Sequence, residues 1–366
     1  MRPALPALAI SALAMGGLAA GLAAGAVARP AAAPSELTDA TTDQMARAAL
    51  VATPAVYRLE VETLSRRGRR RARAVDLLNA TAFGVGDVRV HGVRRSVVVT
   101  ARHNVQRPAG GRILSIRLFP AVSGDMEEGR LPGPIAAGVL ARGRGNRDLA
   151  VLWLAGPGGR PALRLEDGQT QGTPVVVPGF GGNAGPAPVL RRGDIVRVAR
   201  IQHDTSRAQF AALSTPVRLG DSGAPLLDDT GQAHGVIVRR ATRTEPPIAE
   251  QAGDVRRLLI AAGVTQGEGA RERLFRLGMD SFWHRQFGDA HEALERASSG
   301  AAAHPLVAFE AARAADLAAA SYRVERGDRW RGVLIALGAA SALAATAFLA
   351  ALVASELTRR RLGHED

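Results

Sequence analysis

The 366-residue chain contains no cysteine and no lysine, and aromatic residues make up only 4% of it. Without cysteine the chain forms no disulfide, no thiolate metal site and no lipid-modified cysteine anchor. This does not place it in the cytoplasm, because many exported proteins also have no disulfide. With so few aromatic residues, the core has to be built from Val, Leu, Ile and Ala.

The chain has 47 basic residues, all of them arginine, against 34 acidic residues, which gives a net charge of +13. An excess of this size is typical of proteins that bind nucleic acid. However, the chain has no RNA- or DNA-binding motif and no aromatic platform on which bases could stack. The absence of lysine and the abundance of alanine indicate a compositional bias rather than a binding surface. We therefore expect no nucleic-acid partner.

The stretch 219–225 places Asp221 and Ser222 between two glycines, Gly220 and Gly223. The glycines permit a tight turn that a Cβ atom would obstruct. Such a turn can expose a serine hydroxyl and direct neighbouring backbone N–H groups to one point, and acyl transfer needs both features. A type I turn containing Asp and Ser would have the same sequence, so this stretch alone leaves a purely structural turn open.

Two further polar residues lie at the ends of predicted buried strands. His103 follows the β-branched run 96–100, and Asp148 precedes the apolar run 149–154. Each residue alone is more often structural, the aspartate as a turn or strand-entry residue. Together with Ser222 they supply a nucleophile, a base for it, and a carboxylate that orients the base.

Residues from about 50 to 262 resemble a trypsin-like serine protease domain of the bacterial, disulfide-free type. The segments that carry the resemblance are 97–103, 148–152 and 219–225, with weaker similarity at 80–86 and 175–181. Two residues depart from the family pattern: Arg102 replaces a small residue beside the histidine, and Ala224 replaces the second glycine after the serine.

The resemblance implies a mainly β fold of two six-stranded antiparallel β-barrels within residues 51–264. It also implies a serine endopeptidase that acts on a protein or peptide substrate. His103 would be the general base, Asp148 the carboxylate that orients it, and Ser222 the nucleophile. The backbone N–H groups of Gly220 and Ser222 would form the oxyanion hole. No metal or cofactor is required.

The same resemblance implies two substrate-binding positions. Pro216 falls where the family lines its primary pocket, and no acidic residue stands among residues 215–218 to select basic side chains. This favours small or apolar residues of the substrate. Val238 falls in the strand 236–239, which we expect to offer an edge for pairing with an extended peptide.

Two other functions stay open at this stage. One is a catalytically weak or inactive scaffold in the cell envelope that binds a partner protein, which Arg102 beside the histidine keeps in consideration. The other is an esterase that uses the same three residues, which would need a wide acyl pocket.

The segments outside the protease-like region are predicted from composition. Residues 1–28 have the form of a signal peptide, cleaved or retained as an N-terminal anchor, and residues 29–50 are predicted to be a linker. Residues 265–330 are predicted to form an Ala-rich helical stalk that resembles a single tetratricopeptide unit. Such repeats need neighbours to bury their faces, so the stalk is expected to pack on the barrel or on a protein partner.

Residues 332–355 carry no charge and are numerous enough to cross a bilayer as a helix. The basic run 359–361 follows them, which favours a cytoplasmic tail at 356–366. The sequence therefore predicts a membrane-embedded, single-pass protein of the cell membrane with its protease domain outside the cytoplasm.

Overall fold

The computed structural model describes residues 39–67, 72–122, 131–182, 185–203, 206–239, 246–299 and 304–362. The predicted signal peptide at 1–28 lies outside the described residues. Helix α1 (Asp39–Ala52) occupies the second half of the stretch predicted to be a linker.

The described residues first form a group of six strands. They are β1 (Val56–Arg67), β2 (Ala72–Val90), β3 (Val93–Ala101), β4 (Arg112–Pro120), β5 (Ile135–Arg142) and β6 (Leu149–Leu154). A second group follows: β7 (Pro174–Gly179), β8 (Val189–His203), β9 (Ser206–Leu213), β10 (Pro225–Leu227), β11 (Ala233–Arg239) and β12 (Ile248–Gln251). The strands predicted at 96–100, 149–154 and 236–239 lie within β3, β6 and β11.

The second group closes into an antiparallel barrel of six strands, in the order β10-β11-β12-β9-β8-β7. The first group does not repeat this arrangement. It belongs to a seven-stranded sheet in the order β1-β4-β5-β6-β3-β2-β13, where β13 is the short strand Thr265–Gln266, and β1 also pairs with β2. The prediction of two six-stranded barrels is therefore wrong.

The length of β2 explains the difference. Its residues 72–83 pair with β1 and its residues 83–90 pair with β3, so the strand changes partner along its course. Near this change, Gly86 and Asp87 pair with β13. A strand of 19 residues thus has room for a third partner, which becomes the seventh strand of the sheet and which the sequence of β2 alone does not indicate.

Strand β6 and the second part of β3, residues 96–101, are buried on both faces, which is why these stretches have few polar residues. Val97, Val99 and Val151 lie in a core shared with barrel residues and with α2 (Ala252–Ala261). Val98 and Leu152 face the other way, into the core of the seven-stranded sheet. The ends of these two strands are consequently held firmly, and the candidate site is built on them.

The apolar residues of the stretch 248–262 have a helical spacing, but the structure divides this stretch into a strand and a helix. Residues 248–251 form β12, which pairs with β9 and β11, and the helix begins at Ala252. The helical spacing of the apolar residues holds only from that point. This shift places Glu250 on a barrel strand.

The predicted stalk consists of α3 (Ala270–Trp283), α4 (Phe287–Ser298) and the first part of α5 (Pro305–Leu362). Phe275, Met279 and Leu294 share one buried cluster with Val307 of α5. Leu50 of α1 packs against this cluster. The stalk therefore covers its apolar faces partly with its own helices and partly with the N-terminal helix.

The uncharged stretch 332–355 is the continuation of α5, a single helix of 58 residues, rather than a separate element. The large apolar side chains described in it, among them Leu334 and Ile335, are exposed. Within the described ranges, no helix has both the length and the apolarity needed to cross a membrane. This finding contradicts the predicted transmembrane helix and the predicted single-pass location in the cell membrane.

Candidate active site

His103 lies in a short 3₁₀ turn, Arg102–Val105, that follows the end of β3. Ala101 at this end pairs with Leu149 at the start of the antiparallel strand β6. The register therefore brings the residue before β6, Asp148, beside the turn that carries the histidine. The backbone N–H of Arg102 donates to the carbonyl oxygen of Asp148 at 2.8 Å and holds the two segments together.

The carboxylate of Asp148 makes two hydrogen bonds to His103. Its Oδ2 atom lies 2.6 Å from Nδ1 of the imidazole, and its Oδ1 atom accepts the backbone N–H of His103 at 2.9 Å. An ionised carboxylate only accepts hydrogen bonds, so the imidazole carries its proton on Nδ1. The Nε2 atom is then left with a lone pair that can take a proton from a nucleophile.

Arg102 approaches the carboxylate rather than the imidazole. Its Nε atom lies 3.9 Å from Oδ1 of Asp148. Its terminal nitrogen donates to the carbonyl oxygens of Gly143 and Gly145, at 3.0 and 3.3 Å. The side chain is thus fixed on the turn before β6, where its charge adds to the electrostatic environment of Asp148.

Glu250 is a buried acidic residue of the site that the sequence analysis did not identify. Its side chain is inaccessible to solvent and accepts a hydrogen bond from the backbone N–H of Asp148. Burial, reinforced by the charges of Asp254 and Asp148, raises the pKa of the Glu250 carboxyl to about 8. In the sequence, Glu250 stands between an alanine and a glutamine in the short stretch 248–251. A carboxylate in a stretch of this kind is the signal that could have identified it as a residue of the site.

The turn around Ser222 has the conformation that its glycines predict. Gly220 and Gly223 adopt φ values of +98° and +91°, which other residues rarely adopt. A Cβ atom on Gly223 would overlap the carbonyl oxygen of Thr81 and the hydroxyl of Thr100. The turn is therefore packed so closely that position 223 accepts only glycine.

Asp221 is fully buried, and its side chain holds this turn in place. Its carboxylate accepts hydrogen bonds from the backbone N–H groups of Gly181 and Arg218, both at 2.7 Å. Nε of Arg191, a side chain that is itself 8% exposed, lies 2.6 Å from Oδ2 of Asp221. Because the charge is paired and hydrogen-bonded, its burial is tolerated and it fixes the turn.

Ser222 is tied by two hydrogen bonds, one of which comes from the segment that carries the histidine. Its carbonyl oxygen accepts the side-chain amide of Asn104, the residue after His103, at 3.0 Å. It also accepts the backbone N–H of Thr81, again at 3.0 Å. Within the described part of the chain, the backbone N–H groups of Gly220 and Ser222 have no hydrogen-bond partner.

The two predicted substrate-binding residues have different environments. Pro216 is exposed, whereas Val238 is 7% exposed and belongs to the core between the sheets. Along one of its edges, β11 pairs with β10 and with residues 223–224, and this pairing extends as far as Ile237. Val238 lies beyond that pairing, so only its main chain is a candidate for contact with a peptide.

Residues 80–236 match the family model of a trypsin-like peptidase domain. The matched range contains His103, Asp148 and Ser222. It supports the predicted resemblance to trypsin-like serine proteases, which act on proteins or peptides.

Among solved structures, the chain is similar to the active form of the Rv3671c protease from M. tuberculosis. The identity is 22%, the TM-score is 0.46, and the match covers 68% of this chain and 97% of that one. The HtrA-type protease AlgW with a decapeptide gives 17% identity and a TM-score of 0.43, over 60% of this chain and 68% of that one. No curated protein matches this chain significantly.

Proposed function

We propose that this protein is a serine endopeptidase with His103, Asp148 and Ser222 as its catalytic residues. The observation that carries the proposal is the hydrogen bond of 2.6 Å between Nδ1 of His103 and Asp148. It lies beside a glycine-flanked turn whose serine is tied to the residue after the histidine. The family match over residues 80–236 supports the same reaction class.

In the proposed reaction, Oγ of Ser222 attacks the scissile carbonyl carbon while Nε2 of His103 takes the hydroxyl proton. The imidazolium then protonates the leaving amine, and water hydrolyses the acyl-enzyme by the same route in reverse. Asp148 holds the imidazole in the required tautomer and stabilises its charged form. The N–H groups of Gly220 and Ser222 donate to the oxyanion, each worth roughly 3 kcal/mol of barrier.

Substrate binding is proposed at two places near the nucleophile. Pro216 lines the pocket for the residue before the cleaved bond, and the main chain of Val238 pairs with the substrate strand. The segment 215–218 carries no acidic side chain, which supports a preference for small or apolar residues rather than basic ones.

Labelling with a fluorescent alkyl fluorophosphonate tests the proposal on the full chain. We expect the wild type to be labelled and Ser222→Ala and His103→Ala to remain unlabelled. Ser299→Ala removes a hydroxyl from an exposed position at the end of α4 and should leave labelling unchanged. A folded wild type that takes up no label would contradict the proposal and favour the alternative of a binding scaffold.

A further inference from the structure

Thr81 of β2 contacts the nucleophile turn through both its main chain and its side chain. Besides the main-chain bond to Ser222, its hydroxyl donates to the carbonyl oxygen of Gly220 at 2.7 Å. The same hydroxyl accepts the backbone N–H of Phe180 at 3.1 Å. A hydroxyl has one donor and two acceptor positions, so it can make both bonds at once. Thr81 is completely buried, so water does not compete for them.

The contact with Gly220 controls a conformation that glycine alone leaves free. A residue without Cβ permits large rotations of the peptide groups on either side of it. Here the preceding carbonyl, that of Leu219, accepts the N–H of Gly182 at 3.1 Å. The following carbonyl, that of Gly220 itself, is held by Thr81. The N–H of Gly220 shares a planar peptide with the carbonyl of Leu219, so the bond to Gly182 sets its direction. The bond to Thr81 fixes the next peptide, and together the two bonds hold the Cα atom of Gly220, and hence its N–H, in one place.

Thr81 also connects this turn with the segment that carries the base. Its carbonyl oxygen accepts the hydroxyl of Thr100 at 2.7 Å, and that hydroxyl accepts the side-chain amide of Asn104 at 3.0 Å. Asn104 follows His103 and donates to the carbonyl oxygen of Ser222. The hydrogen bonds thus form a closed ring that joins the two halves of the candidate site.

We infer that Thr81 is a positioning residue whose hydroxyl holds Gly220 in the place from which its N–H donates to the oxygen that becomes negatively charged during acyl transfer. It touches no reacting atom itself. The inference rests on the proposed serine endopeptidase function and adds to it a residue outside the three catalytic ones.

The variant Thr81→Val tests the inference because it keeps the shape of the side chain and removes only the hydroxyl. The probe is the fluorophosphonate: an Oγ–P bond forms at Ser222, the P–F bond breaks, fluoride leaves, and the hydroxyl proton passes to His103. Its phosphoryl oxygen requires the same donors as the oxyanion. Removing one donor altogether lowers a rate roughly 10²- to 10³-fold, so we expect its displacement to slow the first-order labelling step about 10- to 100-fold. The half-saturating probe concentration should not change.

Two variants separate positioning from a purely structural role. Thr81→Ser keeps the hydroxyl and should restore labelling to a rate close to that of the wild type. Thr53→Val removes another buried hydroxyl, one that donates to the carbonyl oxygen of Ala49 at 2.8 Å beside α1. It should lower the melting temperature and leave the labelling rate unchanged. A merely structural role of Thr81 would make Thr81→Val behave in the same way.

The outcomes are distinguishable. A folded Thr81→Val protein labelled as fast as the wild type would overturn the inference while leaving the proposed function intact. An unlabelled but folded wild type would instead refute the proposed function. Should Thr81→Val not fold, Thr81→Ala carries the same expectation, because it retains the main-chain bond to Ser222 and lacks the hydroxyl.

Discussion

The buried carboxyl of Glu250 leads to a prediction about stability and pH. Glu250→Gln replaces the carboxyl with an amide of nearly the same shape. The amide oxygen can still accept the backbone N–H of Asp148, as the carboxyl does. The substitution therefore keeps the contact and removes only the ability to ionise.

The magnitude follows from the raised pKa. The Glu250 carboxyl titrates near 4.5 in an unfolded chain and at a pKa of about 8 in the folded protein. Between these values the unfolded state loses a proton that the folded state keeps, so stability falls as pH rises. The loss is about 1.4 kcal/mol per pH unit and approaches about 5 kcal/mol above pH 8. The glutamine variant avoids this loss.

Urea unfolding of the full chain at pH 5 and pH 8, followed by circular dichroism, measures the effect. Groups other than Glu250 titrate in both proteins, so their contributions cancel in the difference between variant and wild type. We expect the stability advantage of Glu250→Gln to grow by about 3 to 4 kcal/mol between these two pH values.

Glu166→Gln serves as the control, because that carboxyl is 41% exposed and forms an ion pair with Arg164 at the surface. Its stability relative to the wild type should hardly depend on pH. If the advantage of Glu250→Gln were equal at pH 5 and pH 8, Glu250 would be ionised in the folded protein. Burial would then not raise the pKa of the Glu250 carboxyl in the folded protein.

Three further outcomes are expected. Asp148→Asn keeps the shape of the site but no longer fixes the tautomer of the histidine. Fluorophosphonate labelling should therefore slow roughly 10⁴-fold, with the melting temperature unchanged. Labelling at the wild-type rate would contradict the assigned role. Gly223→Ala, which forces a Cβ into strands β2 and β3 at a φ of +91°, should lower the free energy of unfolding by more than about 2 kcal/mol. Gly288→Ala, at a helical position with open space around it, should not lower it. Arg191→Met leaves the charge of Asp221 buried and unpaired, so it should lower the free energy of unfolding in urea by about 3 to 5 kcal/mol. A stability equal to that of the wild type would show that the ion pair is dispensable.

Short-range patterns in the sequence predicted the strand ends and the turn on which the candidate site is built. The β-branched run before His103 and the apolar run after Asp148 are strands in the structure, and both residues lie at the strand ends. The glycines around Ser222 adopt the positive φ values that their pattern predicts. These features depend on backbone sterics and on burial of a few neighbouring side chains, which local sequence encodes directly.

The tertiary structure decided everything that depends on residues distant in the chain. Glu250 and Asp148 are 102 positions apart, and Thr81 and Gly220 are 139 positions apart. The seventh strand of the first sheet pairs residues 265–266 with residues 86–87. No local pattern marks such partners, since a threonine or glutamate in a strand has the same sequence context whether its side chain meets solvent or a buried turn. Only the packing of the two sheets determines which of these groups are buried together, and hence how the candidate site is held.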